Sequence, residues 1–253
     1  QKNVPCMRVN KRKQSKELAI IHQAINMLKY KQELLPHPPR SKMTVKPINI
    51  VQQNLRKSLT ASNELKQSLS NHQADILLIQ EPYAINNNVI FNQRSKIFTN
   101  SIPDTATIIL NQSLNISHLP AFSSDFCTSI SIATSSLSII LVNVYLHPNK
   151  IETPHIVFLQ QIISKFDNHP LIICGDFNSR SPIWNDHATN TNGRKLVQLI
   201  NQNNLTIHNN KNYTCFPSAG GKSIVDLTLT NNQSHFFIKN WTTSQLSTIS
   251  DHH

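Results

Sequence analysis

Apolar residues in this chain fall into short runs separated by polar turns, and the period of the runs changes along the sequence. From Ser15 to Leu35, Leu18, Ile21, Ile25, Leu28 and Leu35 recur on one helical face, and Pro36-His-Pro-Pro39 ends that helix in a linker. Residues 1–14 read as disordered, and a globular domain is expected to begin near Val45. Strands are predicted at Ile48–Val51, Asp75–Gln80, Ala106–Leu110, Phe126–Ala133 and Leu137–Leu146. Thr134-Ser-Ser136 joins the last two as a hairpin. Leu137–Leu146 is apolar on both faces, which predicts a central strand. Leu59–Leu69 and residues 154–166 read as helices. Asn192-Gly-Arg precedes a further amphipathic helix carrying Leu196, Val197, Leu199 and Ile200.

Two more strands carry polar groups at informative places. Leu171–Cys174 is apolar on both faces and runs into Gly175, which would let the backbone leave the layer, then Asp176-Phe-Asn178. Side chains two apart share a face in extended chain, so Asp176 and Asn178 can converge on one substrate; an Asx turn at the strand end fits the same residues. In Ser223–Thr230, Val225, Leu227 and Leu229 face one way and Asp226, Thr228 and Thr230 the other. Strands and helices mixed without strict alternation predict an α/β fold of two packed sheets flanked by helices.

Charge divides the chain. Residues 1–45 hold ten Lys/Arg against Glu17 and Glu33, so most of the net charge of +11 sits in this leader. Residues 46–253 are only mildly basic. A polyanionic partner is favoured, with a solvated linker as the plain reading of the leader. Cys6, Cys127, Cys174 and Cys215 are scattered without zinc spacing, which fits a reduced compartment. No apolar run reaches membrane-spanning length and residues 1–30 lack a signal peptide's apolar block, so no membrane partner is expected.

Candidate chemistry recurs at strand ends. Asn54 follows the first strand, Glu81 the second, and Tyr145 closes the central one; Asp176 and Asn178 follow the next, Asp226 is the one acid of the last, and Asp251-His252 comes near the end. Each alone has a plain structural reading as a turn, loop or core residue. Together they suit phosphoryl chemistry, where no single group supplies the whole barrier reduction of about 8–23 kcal/mol. Glu81 and Asp251 suit a hard cation such as magnesium or manganese, since no His/Cys cluster exists in the sequence. His252 backed by Asp226 is an arrangement that fixes a tautomer.

The ordered set resembles the endonuclease/exonuclease/phosphatase superfamily. Finer segments resemble the endonuclease domain of jockey-like non-LTR retrotransposons, part of a reverse-transcriptase polyprotein. These are Leu77-Leu-Ile-Gln-Glu-Pro-Tyr83, Cys174-Gly-Asp-Phe-Asn-Ser-Arg-Ser-Pro-Ile-Trp184, Asn192-Gly-Arg194 and Ser223-Ile-Val-Asp-Leu-Thr-Leu-Thr230. The resemblance covers about residues 46–253 and leaves the 1–45 leader aside. It implies a deoxyribonuclease I-like four-layer sandwich and a divalent-metal nuclease on double-stranded DNA. The nick would leave a 3′-hydroxyl for reverse transcription of the element RNA by a downstream reverse transcriptase, in the nucleus.

By matching position, Glu81 would bind the metal with Asn54 and Asp251, and Asp176 would orient or deprotonate the water. Asn178 and Tyr145 would hold the phosphate, and His252, paired to Asp226, would stabilise charge; whether Asp176 or His252 is the base stays open. Arg180 by charge and Trp184 by stacking are candidates for DNA contact, Trp184 fitting a buried packing role equally well. Arg56 departs from the superfamily, whose cellular members often carry an acid there; it suits a phosphate contact or solvent. Family domains continue past the Asp-His pair into a final strand that this chain lacks, so a version extended past His253 is expected to be more stable. A phosphatase of the same superfamily, acting on a small phosphate ester, and an inactive DNA-binding remnant are the alternatives.

Overall fold

A computed structural model describes residues 47–253, apart from 70–72, 92–94, 136, 149–152, 235–236 and 245–248. The expected helix over Ser15–Leu35 and its Pro-rich linker lie outside the described residues.

Ile48–His253 forms one compact unit built on two sheets. The first has the order β1 (Ile50–Asn54), β2 (Ile76–Gln80), β6 (Thr105–Ile109), β5 (Lys96–Thr99). The second has the order β11 (Thr206–Ile207), β12 (Asp226–Thr230), β10 (Leu171–Asp176), β9 (Ser138–Tyr145), β8 (Cys127–Ala133), β7 (Asn115–His118). Both are mixed: β1 runs parallel to β2 and β10 parallel to β9, while β12 lies antiparallel to β10. A small ribbon, β3 (Ala84–Ile85) and β4 (Asn88–Val89), follows Glu81.

The alternation of apolar side chains assigns the layers. Ile76 and Leu78 of β2 pack with Ile130 and Ile132 of β8, Leu141 of β9, and Ile172 and Cys174 of β10, forming the core between the sheets. Leu77 and Ile79 point the other way, onto Ala61 and Leu65 of α1 (Leu59–Leu69). On the far side, Val142, Val144, Leu171, Ile173, Leu227 and Leu229 pack with Leu159 and Ile162 of α2 (Thr153–Lys165) and Leu196, Leu199 and Ile200 of α3 (Thr191–Gln202). The result is helix, sheet, sheet, helices, a four-layer sandwich. Both faces of the central strands are covered, which is why β2 and β10 are buried throughout and read as continuous apolar runs.

Three elements differ from the sequence reading. The first strand is displaced to Ile50–Asn54 and carries Asn54 within it. The last helix starts at Thr191 and includes Asn192-Gly-Arg194, because Asn190 caps it by accepting from the Gly193 N–H. A Cβ on Gly193 would stand 1.9 Å from the Arg180 carbonyl oxygen, so glycine lets the helix approach that backbone. Gly175 does not take the chain out of its layer. It stays in β10 with φ +147°, and a Cβ there would meet the Val144 carbonyl at 1.9 Å, so the residue serves close strand packing.

Candidate active site

Strand period two carries the intersheet core from apolar to polar along its length. Ile50, then Gln52 and Asn54, share one face of β1; Ile76 and Leu78, then Gln80, share one face of β2. Across the gap Leu141 is followed by Asn143 and Tyr145, and Ile172 and Cys174 by Asp176. Asp226 opens β12 directly opposite Asp176, which on its other side pairs with Tyr145. The polar ends of both sheets therefore meet in one place. Asn54, Tyr145, Asp176, Asn178, Asp226 and His252, expected separately at strand ends, are brought together there.

Asp176 is 1 % exposed and heavily bonded. Asn54 Nδ2 donates to its Oδ2 at 2.9 Å from the opposite sheet, and the Asn178 backbone N–H donates to Oδ1 at 2.9 Å. The Asn178 side-chain amide donates to Asp176 Oδ2 at 3.2 Å and to the Leu146 carbonyl at 2.9 Å. The segment is an Asx turn, with the Asn178 side chain bonded to that of Asp176. His252 Nδ1 lies 2.9 Å from Asp226 Oδ2, and its Nε2 lies 3.9 Å from Asp176 Oδ2 and 3.6 Å from Cys215 Sγ.

Burial raises the Asp176 carboxyl pKa, and the facing Asp226 raises it further. Burial opposes charge on His252, but the charge and hydrogen bond of Asp226 outweigh it and raise the pKa of the ring. Burial also raises the Tyr145 hydroxyl pKa, followed by the charge and hydrogen bond of Glu81 and by Asp176 and Asp104.

The segment 250–253 reaches the site by lying along the strand-like stretch 214–216. The Phe216 N–H donates to the Asp251 carbonyl and the His253 N–H to that of Thr214. Gln53 Nε2 donates to the His252 carbonyl, and Ser250 Oγ to that of Asn54, so β1 holds the segment from its other side.

Backbone strain marks the same place. Among the described residues, three that are neither glycine nor asparagine have positive φ: Arg56 (50°), Lys57 (54°) and Glu81 (46°). Asn178, at 45°, joins them. Left-handed backbone is uncommon for such residues and clusters at functional sites. Here it is held by Asn54 Oδ1, which accepts from the Arg56 N–H, and by the Glu81 carbonyl, which accepts from the Lys57 N–H.

The rim differs from expectation. Trp184 is buried at 1 %, with its indole N–H donating to the Ile224 carbonyl at 3.0 Å, so stacking on DNA is excluded and the packing role stands. Its place beside a polar motif misled, since indole burial leaves no sequence mark. Arg180 is anchored through Nε to buried Asp186 at 3.1 Å and touches His187, leaving it partly exposed. Arg56 is ion-paired with Asp251, so neither faces free solvent as an isolated charge. Residues the sequence reading left out include Asp104, which bridges Lys57 and His147 at 3.2 Å each. The rings of Tyr213, Phe216 and His253, with Lys222 over Tyr213, line the outside of the 214–216 stretch. Phe216 is 44 % exposed.

Oxygen donors suited to a hard cation surround the Tyr145 hydroxyl, whose pKa is raised first by burial and then by Glu81, Asp176 and Asp104. Asn54 Oδ1 has one lone pair beyond its bond to the Arg56 N–H. Asp176, Asp226 and His252 also have ligand atoms within 4.8 Å of one another. That trio is bonded internally, and a protonated imidazole offers no lone pair, so the carboxylates and amide oxygen fit a cation better than His252 does.

The model of the endonuclease-reverse transcriptase family matches residues 139–253, a span holding Tyr145, Asp176, Asn178, Asp226, Asp251 and His252. The match spans less than half of the chain. Asn54 and Glu81 lie upstream of the matched span and are joined to it by the fold. The endonuclease domain of TRAS1, a telomere-specific non-LTR retrotransposon, has a similar structure: TM-score 0.72 at 24 % identity, over 81 % of this chain and 95 % of that one. An endonuclease/exonuclease/phosphatase family protein from Leptotrichia buccalis gives 0.52 at 15 % identity, over 74 % and 88 %. The 3′ phosphatase NExo from Neisseria, bound to product DNA hairpin, gives 0.50 at 14 %, over 73 % and 87 %. These likenesses establish the α/β fold of mixed sheets flanked by helices. No curated protein matches the chain.

Proposed function

We propose that the domain is a divalent-metal-dependent DNA endonuclease that nicks one strand and leaves a 3′-hydroxyl for target-primed reverse transcription by a non-LTR retrotransposon. The observation that carries this reading is the buried trio Asp176–Asp226–His252, tied to the opposite sheet through Asn54, at the polar end of a sandwich whose residues 139–253 match the model of the endonuclease-reverse transcriptase family. Hydrolysis of a phosphodiester needs a positioned water and cationic groups on the phosphoryl oxygens.

Asp176 orients the attacking water and accepts its proton, helped by burial that makes its carboxyl more basic than usual. His252, whose protonated form Asp226 favours, stabilises charge on the phosphoryl group. Asp226 holds that proton in place. Asn178 spends its amide on Asp176 and Leu146, so it acts first by aiming Asp176; a phosphate contact would replace one of those bonds. Tyr145 sits on Glu81 and aims that carboxylate. Glu81 with Asn54 Oδ1 would hold magnesium or manganese, which when bound neutralises charge on the phosphate. Asp251, paired to Arg56, joins them only if that ion pair opens.

Exposed Phe216, the rings beside it and Lys222 favour nucleic acid over a small phosphate ester, since bases stack on such a surface and phosphates meet the cation. Action on DNA puts the site of work in the nucleus, beside the element RNA and reverse transcriptase. No helix among the described residues is long and apolar enough to cross a membrane.

Incubation of supercoiled plasmid with the protein and magnesium tests the reading. Nicked circles whose ends a polymerase extends support it. Release of phosphate from small esters without nicking supports the phosphatase alternative, and binding without either supports an inactive remnant.

A further inference from the structure

The site trio is tied to a row of three amides, two of them fully buried, that the proposed chemistry does not use. Gln80 and Asn143 are both fully buried, one from each sheet. Asn143 Nδ2 donates to the Ile79 carbonyl at 3.1 Å and to the Ala106 carbonyl at 3.0 Å. Both of its protons are thereby spent on backbone acceptors, and its Oδ1 must accept. Gln80 Nε2 donates to that oxygen at 2.6 Å, which turns Gln80 Oε1 towards β1. Gln52 Nε2 donates one proton to Gln80 Oε1 at 2.9 Å and the other to Asp226 Oδ1 at 2.8 Å.

The direction of every amide in this row is dictated by two backbone carbonyls. Turning any one of them over would set acceptor against acceptor or donor against donor in a buried place. The row therefore delivers a donor, and never an oxygen, to Asp226.

We propose that Gln52, oriented through Gln80 and Asn143, is a positioning residue that holds Asp226 as a two-point acceptor and so fixes the His252 Nδ1–H on Asp226 Oδ2. With Oδ1 taken by Gln52, only Oδ2 is left for the imidazole, at 2.9 Å. The ring is then pinned with Nε2 aimed at Asp176. A carboxylate held at one point could rotate and carry the ring with it. The chain runs from the backbone of β2 and β6 in one sheet to β12 in the other, so sheet packing itself sets the orientation of the site.

This inference rests on the nuclease reading for its kinetic consequence, but not for its structural one. The Nδ1–H resonance of His252 and the side-chain amide protons of Gln52, followed by nuclear magnetic resonance in the metal-free, DNA-free protein, test it directly. In the wild type, the Gln52 amide protons should exchange with solvent at least tenfold slower than those of an exposed glutamine. In Gln52→Met, and in Gln52→Glu, which keeps the shape and removes the donor, the Nδ1–H resonance should shift or broaden. The plasmid nicking kcat should fall roughly 10- to 100-fold, as for loss of other supporting hydrogen bonds, with KM changed less than about threefold.

An unshifted resonance in either folded variant, or free-amide exchange of Gln52 in the wild type, would overturn the proposal. So would a variant with lowered thermal stability, an unmoved resonance and kcat within threefold, which is what a merely structural role predicts. A wild type that fails to nick while the resonance still moves on substitution sinks the nuclease reading and leaves the relay standing.

Discussion

Asn54 Nδ2 donates to Asp176 Oδ2 at 2.9 Å across the gap between two sheets, from positions 122 residues apart in the chain. Both groups are buried, so water does not stand in when one is removed. Asn54→Ala should cost about 1–3 kcal/mol of stability in denaturant unfolding, because a buried carboxylate loses a donor. It should also cut nicking by more than its effect on DNA affinity, since it acts on the carboxylate that aims the water. A loss confined to affinity would place Asn54 on the substrate instead.

Protons are held more tightly at this site in the fold than in the unfolded chain. Burial and then Asp226 raise the Asp176 carboxyl; on His252 the effect of Asp226 exceeds that of burial. The stability each group lends is complete below its unfolded pKa, about 3.9 for Asp and about 6.5 for His, and is lost as pH rises towards the raised value. With a chelator present, the unfolding free energy should therefore fall from pH 6 to pH 9, by up to about 1.4 kcal/mol per pH unit for each extra proton held. Asp226→Asn removes the common cause and should flatten that slope. Equal slopes in the two proteins would contradict the assignment.

Gly175 lies beside the Val144 carbonyl in the strand pair that carries Asp176 and Tyr145. Gly175→Ala meets both a blocked Cβ position and a left-handed φ of +147°. It should cost at least ~2 kcal/mol, read from the denaturation midpoint. A change within experimental scatter would mean that β9 and β10 can separate freely.

Trp184 and Phe216 should behave oppositely. Trp184→Ala empties a buried indole site and should cost about 3–5 kcal/mol in stability, with the folded protein binding DNA as before. Phe216→Ala should leave the melting temperature nearly unchanged and weaken binding by about 1–3 kcal/mol, the worth of one stacked base. Comparison of melting temperatures and of binding isotherms at fixed salt separates the two roles.

Much of this was legible in the chain. Alternation in Leu227-Thr-Leu-Thr230 assigned its two faces correctly, because one faces the helices and the other the opposite sheet. The central strands were readable as apolar on both faces, since layers cover both. The β5, β7 and β11 strands were missed, being short or half-exposed, with little period to detect. Asn54, Asp176, Asn178, Asp226 and His252, read from their strand-end positions, are brought together by the fold. Gln52, Asn143 and Asp104 were not singled out, because a strand amide or a lone loop acid looks like any polar residue until its partners are known. Arg56 was read as touching a phosphate or facing solvent; its pairing with Asp251 joins segments whose proximity only the fold creates.

The central claim is that Asp176 drives hydrolysis at a site built from both sheets. Its most direct test is the rate of magnesium-dependent plasmid nicking by Asp176→Asn, an isosteric change, beside the unaltered protein. A fall of roughly a hundredfold or more in the folded variant, with DNA affinity kept close to the original, is the predicted result. Nicking by the variant at the original rate would contradict it.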